Sequence, residues 1–192
     1  MEGSLNSLAL LVNYILVPGL AYGSQLALGA LGVTVIYAVV NFSNFSHGEI
    51  MSFGAMITIL VTYWFQGLGI SVHPLPTALI ALPVGIVGAI LLCLLLDRLV
   101  FRFYRQQRAN SVTYLIVSIG VMFVIGGITR FIIGPDDRNF NDGERFILKA
   151  RAFKEMTGLS EGVAIKSSQA ITVASAFIVV AAVFWFLSRT RT

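Results

Sequence analysis

Asn41-Phe42-Ser43-Asn44-Phe45-Ser46-His47-Gly48-Glu49 interrupts a tract that is otherwise almost free of ionisable groups. Glu49 is the sole Asp or Glu between Glu2 and Asp97, and no Lys or Arg precedes Arg98. One acid, one histidine and two asparagines gathered in so apolar a chain either shape a helix break or handle a solute. Ser46-His47-Gly48-Glu49 has capping-box spacing, with Ser46 accepting from the Glu49 amide and the carboxylate returning to the Ser46 amide. Asn44 offers a second cap, and Asn41 or Ser43 can close the preceding helix. Against that purely structural reading, an acid deep in a hydrophobic segment costs about 2.5–3.5 kcal/mol on insertion scales and usually faces a protein interior or a watery path. A broken membrane helix can cap itself and still bind solute. Both readings stay open for Asn41, Asn44, Ser46, His47, Gly48 and Glu49, and depth in the membrane separates them. Counting spans puts the stretch near an inner face, which favours capping.

Outward from this stretch the chain reads as membrane helices. Of 192 residues, 57% are hydrophobic and only 11% charged, whereas soluble domains carry about a quarter charged residues. A span needs about 20 apolar residues. Residues 19–40, 48–65, 77–96, 112–133 and 170–187 meet or approach that length. The expected fold is therefore an all-α polytopic helical bundle of about five transmembrane helices, forming one domain over residues 1–192. Leu5–Val17, set off by Pro18-Gly19, reads as an interfacial or packed lead-in helix. Pro83 should kink or loosen the third span. Asn110 or Ser111 caps the fourth, and Gly134-Pro135 stops it. Tyr63-Trp64-Phe65 and Phe184-Trp185-Phe186 suit headgroup levels.

Arg98, Arg102, Arg105 and Arg108 crowd one short connection, with only Asp97 against them. The positive-inside rule places it in the cytoplasm. The N-terminus then lies outside, residues 41–47 inside, the 66–76 turn outside, and Arg189 and Arg191 inside. Residues 134–166 form an external loop with six basic and six acidic residues (Arg138, Arg145, Lys149, Arg151, Lys154, Lys166; Asp136, Asp137, Asp142, Glu144, Glu155, Glu161). Within it Phe146, Ile147, Ala150, Phe153 and Thr157 recur at helical spacing, with Gly158 as a stop, so a short amphipathic surface helix is expected.

Small residues four apart mark helix-packing stripes: Gly19, Gly23 and Ala27 in the first span, and Ala81, Gly85, Ala89 and Cys93 in the third. Cys93 is alone, which excludes a disulfide framework or a cysteine metal site. His47 and Glu49 are two apart and do not match zinc-hydrolase spacing. The chain holds no Gly-x-x-x-x-Gly-Lys phosphate loop, so it is not expected to hydrolyse ATP. No cofactor or metal is expected, and the scattered basic residues do not form a nucleic-acid face. His73 reads as solvated, and Arg130 as snorkelling to the headgroups.

The stretch Gly19-Leu-Ala-Tyr-Gly-Ser-Gln-Leu-Ala-Leu-Gly-Ala-Leu-Gly-Val-Thr-Val-Ile-Tyr37, followed by Asn44-Phe-Ser-His-Gly-Glu-Ile-Met-Ser-Phe-Gly-Ala55, resembles the LivH-type permease subunits of branched-chain amino acid ABC importers. In that family the second element reads Asn-Phe-Ala-His-Gly-Glu, so Ser46 is a departure. The resemblance is strong over residues 19–65 and looser through Gly134-Pro135-Asp136 to Thr192. It implies a non-enzymatic, multi-pass subunit of a bacterial-type inner membrane, embedded in the lipid bilayer. Its implied partners are a second permease subunit (the same chain or a different one), cytoplasmic ATP-binding subunits and an external solute-binding protein. Close relatives carry urea, short amides or other small polar solutes, which leaves a urea or amide importer as an alternative. Family members continue past a segment like Ser188–Thr192 into a coupling loop that grips the ATPase, so this sequence is expected to be an N-terminal portion. From the residues alone, a passive channel or scaffold without ATP coupling remains a second reading, and an intramembrane enzyme using His47 and Glu49 a third.

The orientation has a direct check. A cysteine placed at Arg105 in a Cys93→Ser background should react with a membrane-impermeant maleimide only from the cytoplasmic side; reaction in intact cells would invert the topology.

Overall fold

A computed structural model describes residues 2–70, 76–136, 138, 146–148, 150–157 and 163–189. Expectations resting on His73, on Asp137, Asp142, Glu144, Arg145, Lys149, Glu161 and Arg191, and on Gly158 lie outside these residues. Helices dominate: α1 (Glu2–Leu11), α2 (Val17–Val40), α3 (His47–Gly67), α4 (Ala78–Leu96), α5 (Arg102–Gln106), α6 (Ser111–Ile133), α7 (Ala150–Thr157) and α8 (Ser167–Arg189). A two-stranded antiparallel ladder joins β1 (Phe146–Leu148) to β2 (Ile165–Lys166). Among the described residues, five helical stretches are long and apolar enough to cross a membrane: Asn6–Ala38, His47–Gly67, Ala78–Gln106, Ser111–Ile133 and Ser167–Arg189. Their surfaces are oily, with Phe131 91% and Leu26 74% exposed, an arrangement that suits lipid and not water. This is an all-α membrane protein.

The chain divides into two compact units, Met1–Gly32 with Glu144–Thr192, and Val33–Gly143. In the first, the helix does not break at Pro18-Gly19. A π-helical turn at Val12–Leu16 joins α1 to α2, and the Val17 amide donates five residues back to the Val12 carbonyl. Such a wide turn re-registers the carbonyls just before the proline ring, whose missing N–H would otherwise interrupt the ladder. Asn13, in this turn, accepts a hydrogen bond from the Ala164 amide at 3.2 Å, holding the segment before β2 against it. Residues 146–148 form β1 instead of the first turn of an amphipathic helix, because pairing with β2 overrides the helical spacing. The helix is confined to α7, where Arg151 and Glu155 form an exposed pair at 3.4 Å. Gly19 and Gly23 have no neighbour in this unit that an added Cβ would meet within 4 Å.

In the second unit α3 and α4 run antiparallel in close approach. A Cβ on Gly54 would sit 3.1 Å from the Ala89 Cβ and 3.3 Å from the Gly85 carbonyl oxygen. One on Gly85 would sit 2.6 Å from the Gly54 carbonyl oxygen and would clash with the Thr58 hydroxyl. The Thr58 and Thr62 hydroxyls donate to carbonyls four residues back, at 3.0 and 2.7 Å, so they can be buried without an unpaired proton. Ala81 is fully buried on α4, whereas Cys93 is exposed. The helix continues through Pro83 and past Leu96. A π-helical turn at Asp97–Phe101 leads into α5, so the arginine-rich connection is mostly helical and reverses only at Gln107–Arg108, where Arg108 takes φ 52. Asp97 pairs with Arg105 across this stretch. Asn110 caps α6, its Oδ1 accepting from the Thr113 amide at 2.9 Å. Gly134, at φ 83, ends that helix, and Arg138 donates to the Ile133 carbonyl.

Gly85→Val should lower stability in detergent by about 1–3 kcal/mol through overpacking against Gly54 and Thr58. Gly120→Ala, at an α6 position where an added Cβ meets nothing within 4 Å, should leave the thermal midpoint unchanged or raise it.

Candidate functional site: the helix break beside α6

Everything in this site lies in the second unit. The α2 helix ends where Asn41 turns into the left-handed region (φ 57) while its amide still bonds the Tyr37 carbonyl at 2.9 Å. Asparagine tolerates that conformation better than most residues. Phe42 then turns inward, stacking on Tyr114 at 4.9 Å between centroids and tilting against Phe101 at 5.9 Å. Asn44 Oδ1 accepts from both the amide and the hydroxyl of Ser46, at 3.1 and 2.6 Å. This is an Asx turn, which replaces backbone partners lost at the break. The Phe45 amide donates to Ser118 Oγ at 3.1 Å, and Ser118 in turn donates to the Leu115 carbonyl at 2.8 Å.

The capping box does not form. Ser46 is fully buried and committed to Asn44, and its side chain makes no cap bond to α3. With the serine occupied, the Glu49 carboxylate turns to α6. A Cβ on Gly126 would stand 3.1 Å from its Cδ and 3.2 Å from each oxygen. Ser43 and Gly48 are exposed beside the break. His47 Nε2 and Thr129 Oγ1 are buried with no hydrogen-bond partner among the described residues. Thr129 follows Gly126 by three residues, on the same α6 face.

The stretch is not confined to the end of α6. Tyr114, Ser118 and Gly126 are three, seven and fifteen residues into α6, or about 5, 10 and 22 Å along it at 1.5 Å per residue. Residues 42–46 therefore climb beside α6, and Glu49 meets it past its midpoint. Span counting treats the break as a connection between helix ends, whereas packing sets its last residue, Glu49, against the middle turns of α6. Ser118, Gly126 and Thr129 were not singled out from the sequence. Their signal is the small and polar positions eight and three apart, which fall on one helical face with the buried Val121 and Ile125.

The comparisons agree with this architecture. Residues 15–192 match the family described as branched-chain amino acid transport system / permease component. The chain belongs to that family. Among curated permease-family relatives it is 26% identical over 123 residues to the high-affinity branched-chain amino acid transport system permease protein LivH of Escherichia coli K12, covering 62% of this chain and 38% of that one. LivH of Salmonella typhimurium matches over the same shares at 25% identity. BraD of Pseudomonas aeruginosa, a permease protein of the same description, is 27% identical over 178 residues, 92% of this chain and 55% of its own length. The chain thus spans about half the length, or less, of these relatives. No solved structure matches. Gly158-Leu-Ser-Glu-Gly162 has the letters of an acyl-transfer nucleophile turn, but it follows α7, and that turn needs a preceding strand; residues 158–162 lie outside those described.

Ser118→Ala should leave the Phe45 amide without its acceptor and destabilise the fold by about 1–3 kcal/mol. Urea titration in detergent of this variant beside Ser118→Thr, which keeps the hydroxyl, checks the assignment; equal losses in both would refute it.

Proposed function

We propose that this chain forms the translocation path of an ABC importer for branched-chain amino acids or a related small polar solute. What carries the reading is the family match over residues 15–192, and the deep polar break supplies a physical basis for it. A path for a polar solute needs backbone and side-chain polar groups within an apolar bundle, and irregular backbone at depth is tolerated where it is buried in protein or lines a cavity. Residues 45–49 place such groups beside α6 from Ser118 to Gly126. The chain itself carries no phosphate-loop motif, so ATP would be hydrolysed by cytoplasmic partner subunits, with a second permease subunit completing the path and an external solute-binding protein delivering solute.

Orientation follows from charge. Arg98, Arg102, Arg105 and Arg108 are all exposed around the end of the α4–α5 helix. Their concentration there supports a cytoplasmic side for that end and an external N-terminus, in a bacterial-type inner membrane. The C-terminal Arg189, exposed and 6.0 Å from the Trp185 ring, suits a cytoplasmic interface as well.

The permease assembled with its ATP-binding and solute-binding partners in proteoliposomes should take up leucine only with ATP inside the compartment that holds the ATPase. Leucine flux through this subunit alone, down its gradient and without ATP, would instead support a passive channel. Urea uptake without leucine uptake would move the substrate class to amides.

A further inference from the structure

The importer reading can be taken one step further at the crossing of α3 and α6. There the Glu49 carboxylate rests against a position with no side chain, Gly126. Among the described residues it has neither a hydrogen-bond donor nor a cationic partner. Thr129 on the same face is only 7% exposed, and its buried hydroxyl too is unpartnered among the described residues. Other helix hydroxyls here behave differently. Thr58, Thr62 and Thr172 donate to the carbonyl four residues back, and Ser118 and Ser175 to the one three back. Thr129 has the same option in its own helix and does not use it. A bare carboxylate against Gly126 and an idle hydroxyl one turn further along the same α6 face are two parts of an incomplete polar site.

The chemistry of the missing group follows. An ionised carboxylate only accepts hydrogen bonds, and a hydroxyl can accept as well as donate. The occupant is therefore a donor, positively charged, and slim enough to lie against bare backbone. Hard metal cations need about six oxygen ligands, more than the three on offer. A primary ammonium needs three acceptors, which two carboxylate oxygens and one hydroxyl supply.

We propose that Glu49 and Thr129, gathered at Gly126, form a transit site for the primary ammonium end of an amino-acid solute. Gly126 keeps the approach open, since any larger residue would press a Cβ into the carboxylate. Because the site recognises the end common to all α-amino acids, it would select amino acids over amides and leave side-chain choice to other parts of the importer.

The test uses the assembled importer in proteoliposomes and two readouts. Modification of Glu49 by dicyclohexylcarbodiimide, followed by mass spectrometry, should slow about threefold with saturating leucine. It should not slow with 4-methylpentanoate, which is leucine without its ammonium group. Thr129→Val should weaken the protection and Thr129→Ser restore it. In parallel, Glu49→Gln should cut leucine uptake about tenfold while ATP hydrolysis stimulated by the loaded binding protein and the abundance of the complex hold, with partial recovery in Glu49→Asp. Equal protection by leucine and 4-methylpentanoate, or unchanged uptake in Glu49→Gln, would overturn the site while leaving the importer reading intact. An assembled wild-type complex that takes up no amino acid would overturn both.

Discussion

Where one membrane helix stops and the next begins, several backbone amides lose their partners at once, and hydrocarbon offers them no replacement. In this chain the hydrogen bond from the Phe45 amide to Ser118 Oγ meets that demand from a different helix. Asn44 meets it locally at Ser46, accepting from that residue's amide and hydroxyl. The result is a break that runs along α6 from Ser118 toward Gly126. Without the serine hydroxyl at that height, the same segment would rely on its own turn and on Phe42 packing against Tyr114 and Phe101.

Commitment of Ser46 to Asn44 has a consequence for Glu49. A capping box would have kept the carboxylate at the α3 N-terminus, satisfied by backbone. Released from that role, it reaches α6 at Gly126, where the missing side chain leaves room. Close approach through small residues recurs on the other side of α3, where Gly54 lies against Gly85 and Ala89. There the gain is van der Waals contact between backbones, which in lipid substitutes for the hydrophobic drive that water would supply. The same device thus packs α3 against α4 and opens a polar niche between α3 and α6.

Much of this was legible before any coordinates. Runs of uncharged residues mark the five spans, Asn110 and Gly134 mark the ends of α6, and Gly85 and Ala89 mark a packing face; each is a local signal read over a few turns. The capping box was legible too, and misleading, because Ser46 has two possible partners at similar cost and only the position of Asn44 in the folded turn chooses between them. The π-helical turns before Pro18 and after Leu96 were not legible, since nothing in the side chains there distinguishes a widened turn from a break or a loop. The β1 pairing was missed for a different reason: its partner strand lies beyond α7, outside any local window.

The sequence by itself determined the membrane class, the number of long apolar helices, the family, and the presence of one acid in a polar interruption, because these depend on composition and short-range spacing. Only the tertiary structure decided how far along α6 that interruption lies and what the acid faces. Ser118, Gly126 and Thr129 stand 69 to 86 positions along the chain from the residues at 43–49, and their height relative to the break is set by how α3 and α6 pack. That packing is a property of two helices together, so neither stretch of sequence contains it alone.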